Sequence, residues 1–114
     1  MRSDAARGDR RFWGVGVRWS FAARADLAEA LGYIVEESPQ AASDLLRQVE
    51  EAASSLGTFS ERGARVREVI AGDLRQILVG RYRLIYRVEA EAVGVVRLLH
   101  GARDVRRAWN TRPR

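Results

Sequence analysis

A two-residue connection between two alternating segments constrains this chain most strongly. Residues 74–79 read LRQILV and residues 82–88 read YRLIYRV, with only Gly80 and Arg81 between them. Glycine at the first position of a two-residue loop is typical of a type II′ turn, which makes the flanking strands antiparallel. A third alternating segment, 93–100, follows a short polar turn. The sequence therefore predicts a meander of three antiparallel strands.

The tight turn also fixes which side chains share a face of the hairpin. Residues that flank a two-residue loop lie opposite each other, so Val79 pairs with Tyr82. Alternate residues of the second strand are expected to face a buried side: Tyr82, Leu84 and Tyr86. The basic residues are expected on the opposite, open face beside Gln76: Arg81, Arg83 and Arg87.

The register of the last strand decides which further side chain joins these arginines. If Val88 faces Val93 across the turn, His100 lies near Arg81 and Arg83. A register shifted by one residue brings Arg97 to that place instead, because a shift of one moves every side chain to the other face. The sequence leaves both alternatives open.

Two amphipathic helices are predicted before the meander. Ser20 is suited to cap a helix that runs to about Glu37, and Ser38 with Pro39 starts a second helix that ends at Gly57. The first helix has one apolar face, with Asp26 expected to face water; its members are Leu27, Leu31, Ile34 and Val35. The apolar face of the second consists of Ala42, Leu45, Leu46, Val49, Ala53 and Leu56. With almost no loop between them, the helices form an antiparallel hairpin.

Two further strands complete the predicted fold. One precedes the helices, where Val15, Val17 and Trp19 alternate with small or polar residues, and the other covers residues 65–70. The order β-α-α-β-β-β predicts an α+β fold, in which a small antiparallel sheet packs against an N-terminal helical hairpin.

The length of 114 residues fits one domain with a single core. We assign that domain to residues 13–105. Residues 1–12 are polar and without periodicity, which predicts a disordered basic extension, and residues 106–114 are predicted to form a basic C-terminal tail.

Composition excludes several classes of site. The chain has no cysteine, which excludes disulfides, a thiolate nucleophile and a cysteine-bound zinc. His100 is the single histidine, so we expect no transition-metal site and no cofactor. No apolar stretch approaches the roughly 20 residues of a membrane span, and no signal-peptide pattern opens the chain. A cytoplasmic location without a membrane partner is therefore expected.

The net charge of +5 is unevenly distributed along the chain. Residues 14–61 contain three arginines and eight acidic residues, a net charge of −5, whereas residues 62–114 contain thirteen and five, a net charge of +8. All twenty basic residues are arginine. A guanidinium stays protonated, so it binds phosphate or carboxylate bidentately but does not serve as a general base. The second half is predicted to hold an anionic partner.

Several short motifs occur in a familiar order: Trp19-Ser20, Ser38-Pro39, Arg67-Glu68, Leu74-Arg75, VGRYRLIYR at 79–87 and RLLHGARD at 97–104. Over about residues 15–104 the chain resembles the RelE/ParE superfamily of toxins from bacterial type II toxin-antitoxin modules. The resemblance implies the fold predicted above and neutralisation by a cognate antitoxin, ParD-like or of another type. One branch of the superfamily cleaves mRNA on the ribosome, and another poisons DNA gyrase.

The match to the RNA-cleaving branch is incomplete. Arg83 matches the strand arginine that contacts phosphate in that branch, and Arg103 matches the arginine after the last strand. The lysines of that branch are replaced by residues among 74–76, LRQ, and its C-terminal tyrosine is missing. The ending HGARD at 100–104 is more similar to the ParE branch, which implies DNA gyrase as the target.

Two sets of site residues follow. The predicted target- and anion-binding residues are Arg81, Arg83, Arg87, Arg97 and Arg103. In the alternative, a metal-independent endoribonuclease acting on ribosome-bound mRNA, Arg83 and Arg103 hold phosphate and His100 takes the 2′-hydroxyl proton. Glu68 and Asp73 are further candidates for that base, but histidine alone has an ordinary pKa near neutrality.

Overall fold

The computed structural model describes residues 16–67 and 73–101. Within these ranges the elements are β1 (Val17–Trp19), α1 (Phe21–Val35), α2 (Pro39–Leu56), β2 (Ala64–Arg65), β3 (Leu74–Val79), β4 (Tyr82–Val88) and β5 (Val93–His100). The predicted α+β class and the element order are confirmed. Of the strand predicted at 65–70, only Ala64–Arg65 is a strand, and residues 68–70 lie outside the described ranges.

The strands form one sheet in the order β1-β5-β4-β3-β2. Val79 pairs with Tyr82, which confirms the predicted hairpin. The sheet is not antiparallel throughout, because β1 pairs with β5 in the parallel direction, with Val17 opposite Val93. No tight turn joins β1 to β5, so no local signal sets their relative direction.

Serine caps start both helices, as the sequence predicts. Ser20 Oγ accepts a hydrogen bond from the Ala23 amide and Ser38 Oγ accepts one from the Ala41 amide, each at 3.0 Å. These bonds satisfy amides that have no partner within the first helical turn. Pro39 is the first residue of α2 and Gly57 follows its last.

The main core lies between the helical hairpin and one face of the sheet. Its members are Val17, Trp19, Ala23, Leu27, Ala30, Leu45, Val49, Ala53, Leu56, Ile77, Val79, Leu84, Tyr86, Val93, Val95 and Leu98. The prediction that Val35 belongs to it is wrong, since that side chain is 45% exposed. Ala23, Leu27 and Ala30, at positions i, i+4 and i+7, instead form the buried face of α1.

The opposite surface of β3, β4 and β5, here called the far face, is not entirely open as expected. A second buried apolar cluster lies there, consisting of Val66, Leu74, Ile85 and Leu99. Ile85 is fully buried, whereas Leu78 on the same face is 72% exposed. Two basic residues of β4, Arg83 and Arg87, therefore flank a buried apolar residue on this face.

The predicted extension at 1–12 and the predicted tail at 106–114 lie outside the described residues. Across 16–67 and 73–101, neither helix has the length and apolar character that crossing a membrane requires.

Candidate functional site

Arg83 lies on the far face, in the middle strand of the meander, two residues before the buried Ile85. Its backbone is opposite Leu78 on β3 and Leu99 on β5. The Arg83 side chain is half-buried, and its Nη1 donates to Gln76 Oε1 at 2.9 Å. The predicted neighbourhood of Arg83 and Gln76 is confirmed, and this bond helps to fix the guanidinium in one orientation.

Arg87 lies on the same face, two residues after the buried Ile85 on β4. It is half-buried and stands between Leu74 of β3 and Gly94 of β5. In the part of the chain that the structure describes, its guanidinium forms no hydrogen bond or ion pair. Arg83 and Arg87 thus present two cationic groups on one strand of the far face.

Arg81 lies at the hairpin tip and does not share the far face with Arg83 and Arg87. Gly80 precedes it with φ of +59°, a left-handed conformation that glycine adopts without strain. Arg81 is exposed, and it lines a cavity with Tyr82 and His100 on the helix side of the sheet. The expectation that the three arginines share one face is therefore wrong for Arg81.

His100 lies on the helix side of the sheet, away from Arg83. It pairs in register with Tyr82, and the two rings meet edge to face with centroids 5.5 Å apart. The predicted pair Val88 and Val93 is present, but the β4–β5 register shifts by one residue between Ile85 and Tyr86. That irregularity moves His100 to the face of Tyr82, so the expected neighbourhood of His100 and Arg83 is wrong.

Arg97 is buried and held by Asp26 of α1. Arg97 Nε donates to Asp26 Oδ2 at 2.7 Å, and Nη2 donates to Asp26 Oδ1 at 3.0 Å. The Arg97 residue is 4% exposed. This bidentate contact occupies the guanidinium, which corrects two expectations: Arg97 is not presented to an anionic target, and Asp26 does not face water.

The pair forms where β5 extends beyond β1. β1 ends at Trp19, opposite Val95, so none of the described strands pairs with the outer edge of β5 from Val96 onwards. Ser20 Oγ donates to the Val96 carbonyl at 3.0 Å, and Asp26 Oδ2 accepts from the Leu98 amide at 2.9 Å. The start of α1 thus covers this strand edge in place of a strand.

Arg75, one of the candidates among residues 74–76 for the lysine positions of the RNA-cleaving branch, supports the loop that precedes β2, residues 57–63, here called the β2 loop. Its Nη1 donates to the carbonyl oxygens of Gly63 at 2.8 Å and Glu61 at 3.3 Å. The Gly63 amide in turn donates to the Tyr86 hydroxyl oxygen at 2.8 Å, and burial raises the pKa of that hydroxyl. Sequence reasoning did not assign this anchoring role.

Of the remaining candidate bases and phosphate ligands, the structure describes Asp73 alone. Asp73 is exposed and paired with Arg65 at 2.9 Å. Glu68 and Arg103 lie outside the described ranges. Within residues 16–67 and 73–101, no three acidic, histidine or cysteine side chains lie close enough together to hold a metal ion.

The chain matches known proteins over most of this fold. The family model of the ParE toxin of the type II toxin-antitoxin system parDE matches residues 17–105. The chain belongs to the ParE toxin family. Toxin RelE2 of Caulobacter vibrioides is 35% identical over 88 residues, which cover 76% of this chain and 96% of that protein.

A solved structure supports the fold assignment. A chain of the chromosomal ParDE TA system from P. aeruginosa superposes with a TM-score of 0.62 at 20% identity, covering 75% of this chain and 94% of that one. The predicted membership of the RelE/ParE superfamily is confirmed. In this ParE-family toxin the far face carries Arg83 and Arg87, whereas Arg81 and His100 lie together at the hairpin tip, on the other side.

Proposed function

We propose that this ParE-family toxin inhibits growth by binding DNA gyrase, and that it acts without cleaving RNA. The observation that carries the proposal is the separation of His100 from Arg83 by the sheet. An endoribonuclease built on these two residues needs the base and the phosphate-binding guanidinium around one scissile phosphodiester. Here the imidazole contacts Tyr82, and the guanidinium contacts Gln76 on the opposite face.

Two further observations support a binding function. The basic side chains of the far face are arginines, which hold anionic groups but do not accept protons at neutral pH. Arg75, one of the three residues among which the lysine positions of the RNA-cleaving branch fall, is engaged by two backbone carbonyl groups of the β2 loop and supports the fold. The far face, with Arg83, Arg87 and exposed Leu78, is the proposed contact surface for the target.

We further propose that a cognate antitoxin neutralises the toxin, as the family implies. The net charge of +8 over residues 62–114 favours an acidic partner segment. Such a segment places carboxylates against arginines and apolar side chains against exposed apolar surface. The antitoxin is either ParD-like or of another type.

The alternative function is a ribosome-dependent mRNA endoribonuclease. The similarity to a protein called Toxin RelE2 favours it. In that case Arg83 binds the scissile phosphate, and the base is a residue other than His100. Arg103 is the second phosphate-binding candidate of this alternative and lies outside the described residues.

Parallel assays with the purified full chain separate the two functions. In the first, the toxin is added to DNA gyrase with relaxed plasmid and ATP, and supercoiling and trapped double-strand breaks are measured. In the second, it is added to ribosomes translating a defined mRNA, and cut sites are mapped. We expect loss of supercoiling with intact mRNA. Codon-phased cuts in the mRNA with normal supercoiling contradict the proposal.

A further inference from the structure

Two adjoining cavities form one cleft at the end of the sheet where β5 finishes, here called the end cleft. One has a volume of about 250 Å³ and lies against α1; the other, of about 290 Å³, reaches α2 at Leu45. Both are lined by Tyr33, Tyr82 and His100, so the rings stand between the two halves. The end cleft lies on the opposite side of the sheet from Arg83.

The two halves of the end cleft have opposite charge. Glu29 lines the half against α1, and Arg81 lines the other half. Asp26 also borders the first half, but its carboxylate is neutralised by Arg97. Glu29 and Arg81 are exposed, and within the described ranges neither side chain forms a hydrogen bond or an ion pair. A ligand thus meets one anionic and one cationic group.

The middle of the end cleft is apolar and aromatic. Ile34 and Leu45 belong to the core or pack against it, so they form a fixed wall. Tyr33 is 72% exposed at the rim, although it adjoins this wall. Aromatic rings at the rim of an apolar pocket are frequent anchors for partner proteins, because they contribute large contact areas at low entropic cost.

We propose that the end cleft receives a peptide segment of a protein partner, with an apolar side chain between Tyr33 and Leu45, a cationic side chain at Glu29 and a carboxylate at Arg81. A nucleic acid fits poorly, because a phosphate near Glu29 meets like charge. The segment carries both charges because the two halves of the end cleft have opposite charge. The net positive charge of the toxin alone would instead favour a purely acidic segment. Identifying this partner as the antitoxin rests on the proposed function.

Three synthetic peptides test the charge rule directly. Each is a short alanine-based helix with a central leucine and one charged residue a helical turn to either side: lysine and glutamate, two glutamates, or two lysines. Binding to the isotope-labelled full chain is measured by NMR chemical-shift titration. We expect the mixed peptide to bind several-fold more tightly than either other peptide, with shifts at Tyr33, Tyr82 and His100.

Charge-removing variants give a reciprocal readout. Glu29→Gln removes the repulsion of the double-glutamate peptide, so its affinity rises towards that of the mixed peptide. Arg81→Gln does the same for the double-lysine peptide. Tyr33→Ser weakens the binding of all three peptides, whereas Phe59→Ser, which removes another exposed aromatic side chain from the segment after α2 and outside the end cleft, leaves it unchanged.

The outcomes that overturn the inference are distinct. Tightest binding of the double-glutamate peptide to the unmodified chain means that the net charge governs association. Absence of binding by all three peptides, or an unchanged affinity in Tyr33→Ser, removes the end cleft as a docking site. None of these results depends on gyrase or ribosomes, so failure here is distinguishable from failure of the proposed function.

Discussion

Asp26 of α1 holds Arg97 of β5 through two hydrogen bonds and also accepts the Leu98 amide. These three bonds join a helix to a strand edge more than seventy residues away in the chain. We expect Asp26→Ala to lower the free energy of unfolding by about 3–5 kcal/mol, because it leaves a buried guanidinium without its counter-charge. Urea denaturation followed by circular dichroism measures this.

A matched control for that variant is Asp44→Ala. Asp44 also pairs with an arginine, Arg47, at 3.1 Å, but on the exposed surface of α2. The hydrogen bonds from Gln40 and Arg47 hold the pKa of Asp44 below its usual value. We expect no measurable loss of stability, since water solvates the exposed Arg47 guanidinium once the carboxylate is removed. Equal destabilisation by the two variants contradicts the structural role of Asp26.

Tyr86→Phe is expected to change both stability and its pH dependence. The buried Gly63 amide loses its acceptor, which costs about 1–3 kcal/mol at neutral pH. Burial raises the pKa of the Tyr86 hydroxyl above its ordinary value of 10.0. A raised pKa means that the folded state favours the protonated hydroxyl. The contribution of this hydroxyl to the free energy of unfolding is therefore complete below about pH 10 and is lost as the pH rises through the raised pKa.

Denaturant titrations at neutral and alkaline pH measure that dependence. Phenylalanine carries no ionisable proton, so the difference in stability between the unmodified chain and Tyr86→Phe narrows above pH 10. A constant difference across this range is the result that argues against ionisation of a buried Tyr86.

Gly63→Ala and Gly32→Ala are expected to have opposite effects. A Cβ at Gly63 lies 2.7 Å from both the Gln76 carbonyl oxygen and the Tyr86 hydroxyl, so the β2 loop must move, at about 1–3 kcal/mol. A Cβ at Gly32 in α1 has no neighbour within 4 Å, so alanine stabilises the helix by about 1 kcal/mol. Thermal unfolding compares the two, and a stable Gly63→Ala contradicts the close packing.

Arg83→Ala is expected to abolish growth inhibition without unfolding the protein. Its side chain is half-buried on the far face, where it is bonded to Gln76, and lies outside the main core, so its removal opens no cavity there. Induced expression with viable counts measures toxicity, and circular dichroism confirms folding. Arg47→Ala, which removes an exposed arginine from α2, serves as the control and retains toxicity. Retained toxicity of folded Arg83→Ala removes this residue from the target contact.

Local signals predicted much of this fold. The two-residue loop at Gly80 and Arg81 determines the β3–β4 register, since a tight turn permits few pairings. Ser20 and Ser38 determine the helix starts, because hydroxyl caps act on amides a few residues away. The pairing of Arg83 with Gln76 followed from that register and was predicted with it.

Contacts between distant segments could not be predicted in the same way. The register shift leaves Val96 as an extra residue on β5, and Gly94 nearby does not specify where the shift occurs, yet the shift decides that His100 lies on the helix side. The parallel pairing of β1 with β5 ends at Val95. The edge of β5 beyond that residue lies against α1, and this places Arg97 beside Asp26. An aspartate in an amphipathic helix ordinarily indicates a solvated position, so periodicity misplaced Asp26, and without Asp26 the burial of Arg97 could not be foreseen.

The most direct test of the binding mechanism is DNA supercoiling by gyrase in the presence of the purified His100→Ala variant. We expect inhibition equal to that of the unmodified toxin, because His100 lies against Tyr82 on the side of the sheet away from Arg83. The contradicting result is normal supercoiling in the presence of either the unmodified toxin or the variant, together with mRNA cleavage by the unmodified toxin that the His100→Ala variant lacks.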